Sequence, residues 1–360
     1  QILSLVPWYP GARLLRRWSE AGRRTEVPRD EWIDGLHVTH PRVLFVPKIG
    51  HAVAGATYAA SLLPYILRER GKVDVVLGSF AYPDGWAAVV AGRMLRVPTV
   101  IKVHGGDVNV LSHSRIVRPH LRWALSRAEA VVATSRPLAR ASIAAGANPS
   151  TTTVVMNGVD TDTFRVRDRD ACRRELGQPR DGRSILYVGR LETRKGALEM
   201  MQAFARIAPQ HPDARLVMVG DGTERGACER MAQELGLRVL FAGARPHAQV
   251  GSWLGACNLL CLPSHAEGTP NVVLEALASG RRVVATHVGG IPDVVDRPEL
   301  GELVPPKDVG ALAGALARAL VHDYVGEDVA KSVSFGGWND SAGALHDVLR
   351  GAIERHNMRS

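Results

Sequence analysis

The feature that most constrains the fold is an alternation of short apolar, β-rich runs with helical patterns along the whole chain. In the first half the segments read "VDVVLGS", "DGWAAVVAGRMLR", "VPTVIKVHGG", "VRPHLRWALSRA" and "AVVATS". The second half repeats this alternation from "SILYVGR" to "RRVVATHVGG". Short strands separated by helices of about a dozen residues are typical of βαβ units with parallel sheets. Two such series predict two doubly wound α/β domains, which bind ligands at the carboxyl ends of their strands.

The alternation breaks around "MNGVDTDTFRVRDRD", where glycine and a run of charges replace the apolar segments. We therefore place the domain junction there, with a first domain at residues 1–156 and a second at residues 157–336. A chain of 360 residues is also longer than most domains with a single hydrophobic core. The tail "FGGWNDSAGALHDVLRGAIER" predicts a terminal helix.

The composition favours a folded protein of the cytoplasm. The longest nearly apolar run, "VGSWLGACNLLCLP", is too short to span a bilayer, and the start "QILSLVPWYPG" lacks the basic region of a secretion signal. The four cysteines form no C-x-x-C pair, so we expect buried, reduced thiols. They are Cys172, Cys228, Cys257 and Cys261.

The net charge is concentrated in the first half. Residues 1–156 hold 20 Lys and Arg against 10 Asp and Glu, a net of +10, whereas the remainder holds 25 against 26, a net of −1. A basic half favours phosphate-bearing partners such as anionic lipid, a lipid diphosphate or nucleic acid. Nucleic acid is the weakest of these, because the arginines show no aromatic interleaving and no known module. The segment Gly11–Arg24 could lie on an anionic membrane, with Leu14, Leu15 and Trp18 as anchors, or could be an exposed loop.

The stretch "EGTPNVVLEALASG" places Glu267 and Glu275 eight residues apart. The residues Thr269–Asn271 can start a helix, and a helix N-terminus attracts anions. Eight helical residues would separate the two carboxylates by ~12 Å, too far for both to act on one atom. They could hold the two ends of an extended ligand with an anionic middle, such as a nucleotide sugar, or they could be two solvated glutamates on a surface helix.

Two further loops follow predicted strands. In "VGRLETRKG", Gly189 ends a strand and Arg190 and Lys195 follow, which suits a diphosphate as well as an ordinary solvated loop. In "VHGGDVN", His104 stands at the end of a strand and is either catalytic or structural. The glycines of "VMVGDGTERG" do not match the spacing G-x-G-x-x-G, so a nicotinamide cofactor is not expected. Motifs of zinc and serine hydrolases are absent from the sequence.

Together these segments resemble glycosyltransferase family 4, whose members are retaining enzymes of the GT-B fold. The resemblance covers most of the chain and keeps the family's order. It rests on "YPDGWAA", "VHGGDVN", "MNGVDTDTF", "YVGRLETRKG", "MVGDGTERG", "PSHAEGTPNVVLEALASG" and "VVATHVGGIPDVV". The segments "HPRVLFVPKIG" and "FAYPDGWAAVVAGRMLRVP" are most similar to transferases that build bacterial cell-surface polysaccharides such as teichuronic acid or capsule.

The resemblance implies an α/β GT-B architecture, with two Rossmann-like domains that face a central cleft and a C-terminal helix, residues 337–360, that crosses back to the first domain. It implies catalytic roles for four residues that contact the donor: Glu267 and His104 at the donor sugar, and Arg190 and Lys195 at the diphosphate. It places the remaining donor contacts at Gly189, Ala244, Arg245, Gly268, Thr269, Pro270, Asn271, Val272 and Glu275. In that pattern Glu275 binds the ribose and the base lies near Ala244 and Arg245. The acceptor side comprises Tyr82, Asp84, Gly85, Gly105 and Asp107.

The implied reaction transfers a sugar from a nucleoside diphosphate sugar to an acceptor hydroxyl with retention of the anomeric configuration. UDP is favoured over GDP on frequency among similar enzymes, and the acceptor is a saccharide or a lipid-linked saccharide. No cofactor or metal is expected, because cationic side chains stabilise the leaving diphosphate. We expect a position at the inner face of the plasma membrane. Two alternatives are a degenerate, non-catalytic GT-B subunit and, from another enzyme class, a nucleotide-sugar epimerase.

The chain departs from the family pattern in two places. Family members begin with a strand and a Gly-rich loop before the segment that matches "QILSLVPWYP", and we expect that unit to be missing from the first domain. In "SGRRVVAT", Arg281 and Arg282 replace the family's apolar residue and proline, for which we expect a local effect only.

Overall fold

The computed structural model describes residues 1–8, 26–44 and 50–359, which form two compact units. Unit 1 comprises Gln1–Val155 together with Ala344–Ser360, and unit 2 comprises Met156–Gly343. The C-terminal helix therefore begins in unit 2, and its residues from Ala344 onward belong to unit 1. Each unit is a separate α/β layer structure, as the alternating segments of the sequence predict.

Unit 1 contains four-, three- and two-stranded sheets in its described part. The four-stranded sheet has the order β6-β7-β8-β9, and all its neighbouring strands are parallel. The elements are β1 (Ile2–Leu3), β2 (Val6–Trp8), β3 (Asp30–Ile33), β4 (Leu36–Thr39), β5 (Arg42–Leu44), α1 (Gly50–Glu69), β6 (Val76–Ser79), α2 (Trp86–Leu95), β7 (Thr99–Val103), α3 (Arg118–Leu125), β8 (Ala130–Ala133), α4 (Arg136–Ala144) and β9 (Thr152–Val154).

Unit 2 is built on one six-stranded parallel sheet of order β12-β11-β10-β13-β14-β15. Its elements are α5 (Arg169–Glu175), β10 (Ser184–Val188), α6 (Ala197–Ile207), β11 (Arg215–Val219), α7 (Arg225–Glu234), β12 (Val239–Gly243), α8 (His247–Ala256), β13 (Leu259–Leu262), α9 (Asn271–Ala278), β14 (Arg282–Thr286), β15 (Gly301–Val304), α10 (Val309–Val321), α11 (Gly326–Lys331) and α12 (Trp338–Asn357). The alternation from "SILYVGR" to "RRVVATHVGG" thus corresponds to alternating strands and helices, whereas the apolar run "VGSWLGACNLLCLP" contains the end of α8 followed by β13.

Helices cover both faces of this sheet, which explains why its strands read as continuous apolar runs. Along β10, Leu186 packs into one core cluster while Ile185 and Tyr187 pack into the other. A buried strand with this period of two can form in only one register without exposing apolar side chains. The register brings the carboxyl ends of β10, β11, β13 and β14 to one edge, where the loops with the predicted site residues begin.

Arg281, the first of the two arginines that depart from the family pattern, is buried beneath the C-terminus of α8. Its guanidinium donates to the carbonyl of Leu254 at 3.0 Å and to that of Gly255 at 2.9 Å, and Arg173 donates to the carbonyl of Ala256 at 3.0 Å. Two cations thus satisfy the last carbonyls of a buried helix and complement its dipole. Arg281 therefore has a local, structural role.

Candidate active site

A close ion pair lies at the carboxyl edge of the unit 2 sheet. The Lys195 ammonium is 2.7 Å from the Glu267 carboxylate, with 23% and 10% of the two side chains exposed. Lys195 follows β10 and Glu267 follows β13, and these strands are neighbours although β11 and β12 separate them in the chain. The structure therefore brings together two residues that the sequence predicts to contact one ligand.

The loop that carries Glu267 is held from two sides by glycines. A side chain at Gly196 would place its Cβ 2.1 Å from the carbonyl oxygen of Pro263, and one at Gly289 would place it 1.9 Å from that of Glu267. Both glycines have positive φ, of 68° and 53°, so other residues would also be strained there. Backbone hydrogen bonds from His265 to Arg194 and from Gly290 to Gly268, both 2.9 Å, join the same loops. The position of Glu267 is therefore set by the backbone.

Helix α9 begins at Asn271, so Glu267 lies in the loop that precedes it. The ~12 Å separation expected for a continuous helix therefore does not apply, because only the part from Asn271 to Glu275 is helical. Pro270 is the N-cap, and the Asn157 side chain donates to the Asn271 side chain at 3.0 Å. Gly268, Thr269 and Val272 are half-buried around this N-terminus, where backbone amides can bind an anion.

Glu275 lies one turn into α9 and is buried, with 8% exposure. Burial raises the pKa of its carboxyl, and the hydrogen bond from His247, 2.8 Å away, acts in the opposite direction. His247 begins α8, two residues after Arg245 in the exposed loop that also holds Ala244. The predicted ribose contact and the predicted base loop are therefore linked through His247, a residue that sequence reasoning missed.

Arg190 is the more exposed of the two predicted diphosphate contacts. Its guanidinium is 3.0 Å from the carboxylate of Glu192, and 64% of its side chain is exposed. The buried Tyr187 hydroxyl donates to the carbonyl of Arg190 at 2.8 Å and supports the loop from below. Gly189, where the loop leaves β10, donates to the carbonyl of Val219 at 3.0 Å.

The glycine-containing loop "VMVGDGTERG" supports this same loop. The amide of Leu191 donates to the carbonyl of Asp221 at 3.0 Å, and the amide of Glu224 donates to the carbonyl of Leu191 at 2.8 Å. These hydrogen bonds join the loop after β11, which contains the first two glycines of the motif, to the loop after β10. These two glycines therefore have a structural explanation in the close packing of the two loops.

In unit 1, the buried Asp107 fastens two loops at the carboxyl edge of the four-stranded sheet. Its carboxylate accepts hydrogen bonds from the amides of Ala81 at 2.7 Å, His104 at 3.1 Å and Gly105 at 2.9 Å. Gly105 is buried as well and has a φ of 108°. Asp107 and Gly105 were both predicted on the acceptor side. The contacts that the structure shows for them fix the conformation of the loop.

His104 directly follows β7 and is half-buried at this edge. Its Nε2 lies 2.9 Å from the hydroxyl of Ser79, and its ring centroid lies 4.6 Å from that of Phe80. Burial lowers the pKa of His104, with Lys102 adding to this effect and Asp107 opposing it. The imidazole is therefore neutral at neutral pH, a state that can both donate and accept a hydrogen bond. Neither Ser79 nor Phe80 was singled out from the sequence.

The predicted acceptor-side residues 82–85 differ in accessibility. Tyr82 is 3% exposed, and its hydroxyl accepts a hydrogen bond from the amide of Gly55 at 3.2 Å. Gly85 is buried and donates to the carbonyl of Phe80 at 2.9 Å. Asp84 is half-buried; burial, with a smaller contribution from Asp107, raises the pKa of its carboxyl to about 6. Of these residues Asp84 offers an ionisable group to a ligand.

Phe80, which precedes this segment, has a φ of 72° and a ψ of 143°. L-residues rarely adopt this region, and holding a residue there costs about 1–3 kcal/mol. Such outliers are concentrated at functional sites, where the surroundings over-determine the backbone.

Three expectations concern regions away from these loops. The predicted membrane segment Gly11–Arg24 lies outside the described residues. Among the residues that are described, no helix is long and apolar enough to cross a membrane. All four cysteines are buried free thiols, as expected.

Two α/β units in one chain, each with polar residues at the carboxyl ends of its parallel strands, have the architecture of the GT-B class. Comparison with known proteins agrees with this class and specifies the family. The family described as Glycosyltransferase Family 4 matches residues 8–163, and the family described as Glycosyl transferases group 1 matches residues 168–331.

TuaC of Bacillus subtilis (strain 168), whose name assigns it to teichuronic acid biosynthesis as a glycosyltransferase, is 31% identical over 310 residues. These residues cover 84% of this chain and 76% of TuaC. The D-inositol 3-phosphate glycosyltransferase of Acidothermus cellulolyticus is 32% identical over 320 residues, which cover 82% of this chain and 71% of that protein. This chain belongs to the group 1 glycosyl transferases and is a glycosyltransferase.

The crystal structure of Anabaena HepE in complex with UDP has a similar fold, with a TM-score of 0.70 and 20% identity. The similarity covers 100% of this chain and 99% of HepE. The family matches and the two relatives confirm the resemblance to family 4 and the prediction of an enzyme, and HepE agrees with the GT-B fold class.

Proposed function

We propose that this glycosyltransferase moves a sugar from a nucleoside diphosphate sugar, with UDP favoured over GDP, to an acceptor hydroxyl with retention. The observation that carries the proposal is the Lys195–Glu267 pair of 2.7 Å at the carboxyl edge of the unit 2 sheet, beside the start of α9. A cation and a carboxylate at this edge suit a diphosphate and a sugar hydroxyl. The UDP complex of HepE supports a nucleotide in this fold.

In the proposed complex, the diphosphate lies between Lys195, Arg190 and the backbone amides at the start of α9. Arg190 is exposed and pairs only with the neighbouring Glu192 among its described contacts, so a phosphate can compete for it. Glu275 binds the ribose, and the loop of Ala244 and Arg245 lies against the base. Charge that develops on the departing diphosphate is stabilised by fixed cations and by the helix dipole, without a resident metal.

The ion pair also suggests an order of contacts. Before the donor arrives, Glu267 neutralises Lys195 at 2.7 Å. A diphosphate is a more highly charged partner, so Lys195 turns to it and the Glu267 carboxylate becomes available to the donor sugar's hydroxyls. Glu267 then orients the sugar while the bond from the anomeric carbon to the phosphate oxygen breaks. The acceptor oxygen bonds to that carbon on the same face, and its proton passes to the donor phosphate.

We assign the acceptor to unit 1, where Asp84 offers a hydrogen bond at the edge of the sheet. His104, at the same edge, keeps its proposed contact with the donor sugar. The name of TuaC favours a growing surface polysaccharide, or its lipid-linked precursor, as the acceptor. Synthesis on such a carrier would take place at the inner face of the plasma membrane. The basic charge of the first half suits that position.

Calorimetric titration with UDP, GDP and ADP tests the donor site. We expect one nucleotide to bind the unaltered chain, and the double variant Arg190→Ala/Lys195→Ala to bind it about 100-fold more weakly or worse. Arg318→Ala serves as the matched control, because Arg318 pairs with Glu302 at the amino end of β15, away from these loops. A chain that binds none of the three nucleotides would contradict the proposal.

A further inference from the structure

Phe80 has a backbone conformation that favours glycine, although it carries a large apolar ring. The described non-glycine residues with positive φ are Asp34, Phe80, Arg96 and Lys307, with φ values of 49°, 72°, 61° and 64°. Arg96 has the left-handed helical ψ of 43° at a helix end, where this conformation is common. Phe80, with a ψ of 143°, lies in a region that is essentially reserved for glycine.

Hydrogen bonds on both sides hold Phe80 in place. Its amide donates to the carbonyl of Lys102 at 2.8 Å, and its carbonyl accepts from the amide of Gly85 at 2.9 Å. The next amide, that of Ala81, donates to the buried carboxylate of Asp107 at 2.7 Å. The strained backbone is therefore imposed by the two loops that Asp107 joins.

Burial of the ring does not account for this arrangement. Phe80 is 45% exposed, whereas the next two residues, Ala81 and Tyr82, are 0% and 3% exposed. A phenylalanine that stabilises a fold is buried, since its contribution comes from the apolar area removed from water. Here the chain tolerates strain and leaves nearly half of the side chain accessible.

The ring has polar neighbours that suit a polyol. Its centroid is 4.6 Å from that of His104, whose Nε2 contacts the Ser79 hydroxyl at 2.9 Å. Asp84 lies in the same short loop and is half-buried. An aromatic face beside an imidazole, with a hydroxyl on that imidazole and a carboxyl in the same short loop, can bind the C–H face of a pyranose and its hydroxyl rim. The pyranose C–H groups carry partial positive charge and are attracted to the negative face of the ring.

We propose that Phe80 is a stacking platform for a pyranose ring of the acceptor, with Ser79 and Asp84 as hydrogen-bonding partners and with His104, the predicted contact of the donor sugar, beside the ring. This inference rests on the proposed transferase function, which requires an acceptor site besides that of the donor. The proposed ligand class is an uncharged hexopyranoside.

The test uses saturation-transfer-difference NMR of the full chain with UDP present. The probes are methyl β-glucopyranoside, methyl β-galactopyranoside, methyl α-mannopyranoside and methyl N-acetyl-β-glucosaminide. We expect at least one probe to bind with millimolar affinity through the protons of one ring face. Phe80→Leu keeps the apolar volume without the π face, so its dissociation constant for that probe should rise at least fivefold. The dissociation constant of Phe80→Tyr should stay within twofold of that of the unaltered chain.

Phe80→Gly separates binding from folding. Glycine relieves the strain, so its melting temperature should equal or exceed that of the unaltered chain while probe binding is lost. Lys307→Gly, at another positive φ but in unit 2, is the matched control and should change neither probe binding nor UDP binding. A structural role for the ring would instead lower the melting temperature of Phe80→Gly and Phe80→Leu alike.

Two results would overturn the inference: no probe binds the unaltered chain, or Phe80→Leu binds the probe as well as the unaltered chain does. A UDP titration of the same samples separates this failure from that of the proposed function. If UDP binds and the probe results are negative, the platform alone is wrong. If a probe binds in a Phe80-dependent manner and no nucleotide binds, the platform stands and the proposed donor site falls.

Discussion

The carboxyl edges of the two parallel sheets share a scaffold but differ in chemistry. In unit 2 basic side chains pair directly with carboxylates, as in Lys195–Glu267, Arg190–Glu192 and His247–Glu275. In unit 1 the buried carboxylate of Asp107 binds backbone amides only among its described contacts. The imidazole beside it bonds to a hydroxyl and packs against an aromatic ring.

This difference shows how one architecture can serve two kinds of ligand. Side-chain ion pairs can exchange partners, so an edge built from them can accept a diphosphate and release it again. An edge whose buried carboxylate is committed to the backbone keeps a fixed shape and offers hydrogen-bonding groups and an aromatic ring in place of exchangeable ion pairs. Such a rigid surface suits a sugar, whose recognition depends on geometry more than on charge. The predictions below test this contrast in order of expected effect.

The largest effect is expected for Glu267→Gln, which removes the charge of the carboxylate but keeps its volume. Sugar transfer should fall by about 10³-fold, or about 4 kcal/mol, because the donor sugar loses its orienting group. UDP affinity should rise by about three- to tenfold, since Lys195 no longer has a competing anion at 2.7 Å. Calorimetry and a transfer assay measure the two quantities. Glu192→Gln, which frees the exposed Arg190, is the control and should change the transfer rate and the UDP affinity by less than about twofold. Weaker UDP binding by Glu267→Gln would refute the proposal that Lys195 moves from Glu267 to the diphosphate.

Asp107→Ala should have the next largest effect, on stability rather than on nucleotide binding. It leaves three amides without their carboxylate, at a cost of about 3 kcal/mol. The melting temperature of unit 1 should fall by roughly 6–12 °C while the UDP dissociation constant stays the same. Asp308→Ala, whose side chain accepts one amide at the start of α10, is the control, with an expected loss of about 1 kcal/mol. Equal losses in both variants would mean that Asp107 is an ordinary cap.

Much of the fold could be predicted because the strands read as short apolar runs, those buried on both faces such as β10 and also the partly buried β6. "VDVVLGS" contains β6 and "SILYVGR" contains β10, each at the place that the alternation indicates. The meeting of Lys195 and Glu267 depends on β10 and β13 being neighbours, which chain order does not reveal. The sequence could only suggest that both residues belong to one ligand.

The contacts missed are those without a local pattern. His247 and Glu275 lie 28 residues apart on different helices and meet only after α8 and α9 have packed. Positive φ is usually inferred from glycine, so the conformation of Phe80 was invisible in the sequence. Asp107 was noticed as part of a motif, but its burial against three amides could not be inferred, because the partners come from two loops 26 residues apart.

His247→Ala tests how far the stability of unit 2 depends on the contact between His247 and Glu275. The variant leaves the carboxylate of Glu275 buried without its imidazole partner, which raises the pKa of Glu275 further above its ordinary value of 4.5. A folded state with a raised carboxyl pKa binds the proton more tightly than the unfolded state, so stability falls as pH rises from 4.5 through the raised value. The variant should lose about 2 kcal/mol at pH 7.5 and less at pH 5, as measured by urea unfolding. Adding Glu275→Gln should restore the stability at pH 7.5, and an unchanged loss in the double variant would show that His247 acts through another contact.

The smallest effect is expected in unit 1, for Asp84→Asn. The pKa of Asp84 is about 6 in the folded protein against 3.8 in the reference state, because burial disfavours its charged form. The folded state therefore loses stability as pH rises from 3.8 to about 6. Asparagine removes this penalty, so the variant should melt roughly 2–4 °C above the unaltered chain at pH 7.5 and at the same temperature near pH 4. Asp340→Asn, an exposed carboxylate that accepts the amide of Gly337, should give no such gain at pH 7.5. A gain of the same size at both pH values would show that Asp84 is strained by packing rather than by burial of its charge, and unit 1 would then lack the ionisable group assigned to the acceptor.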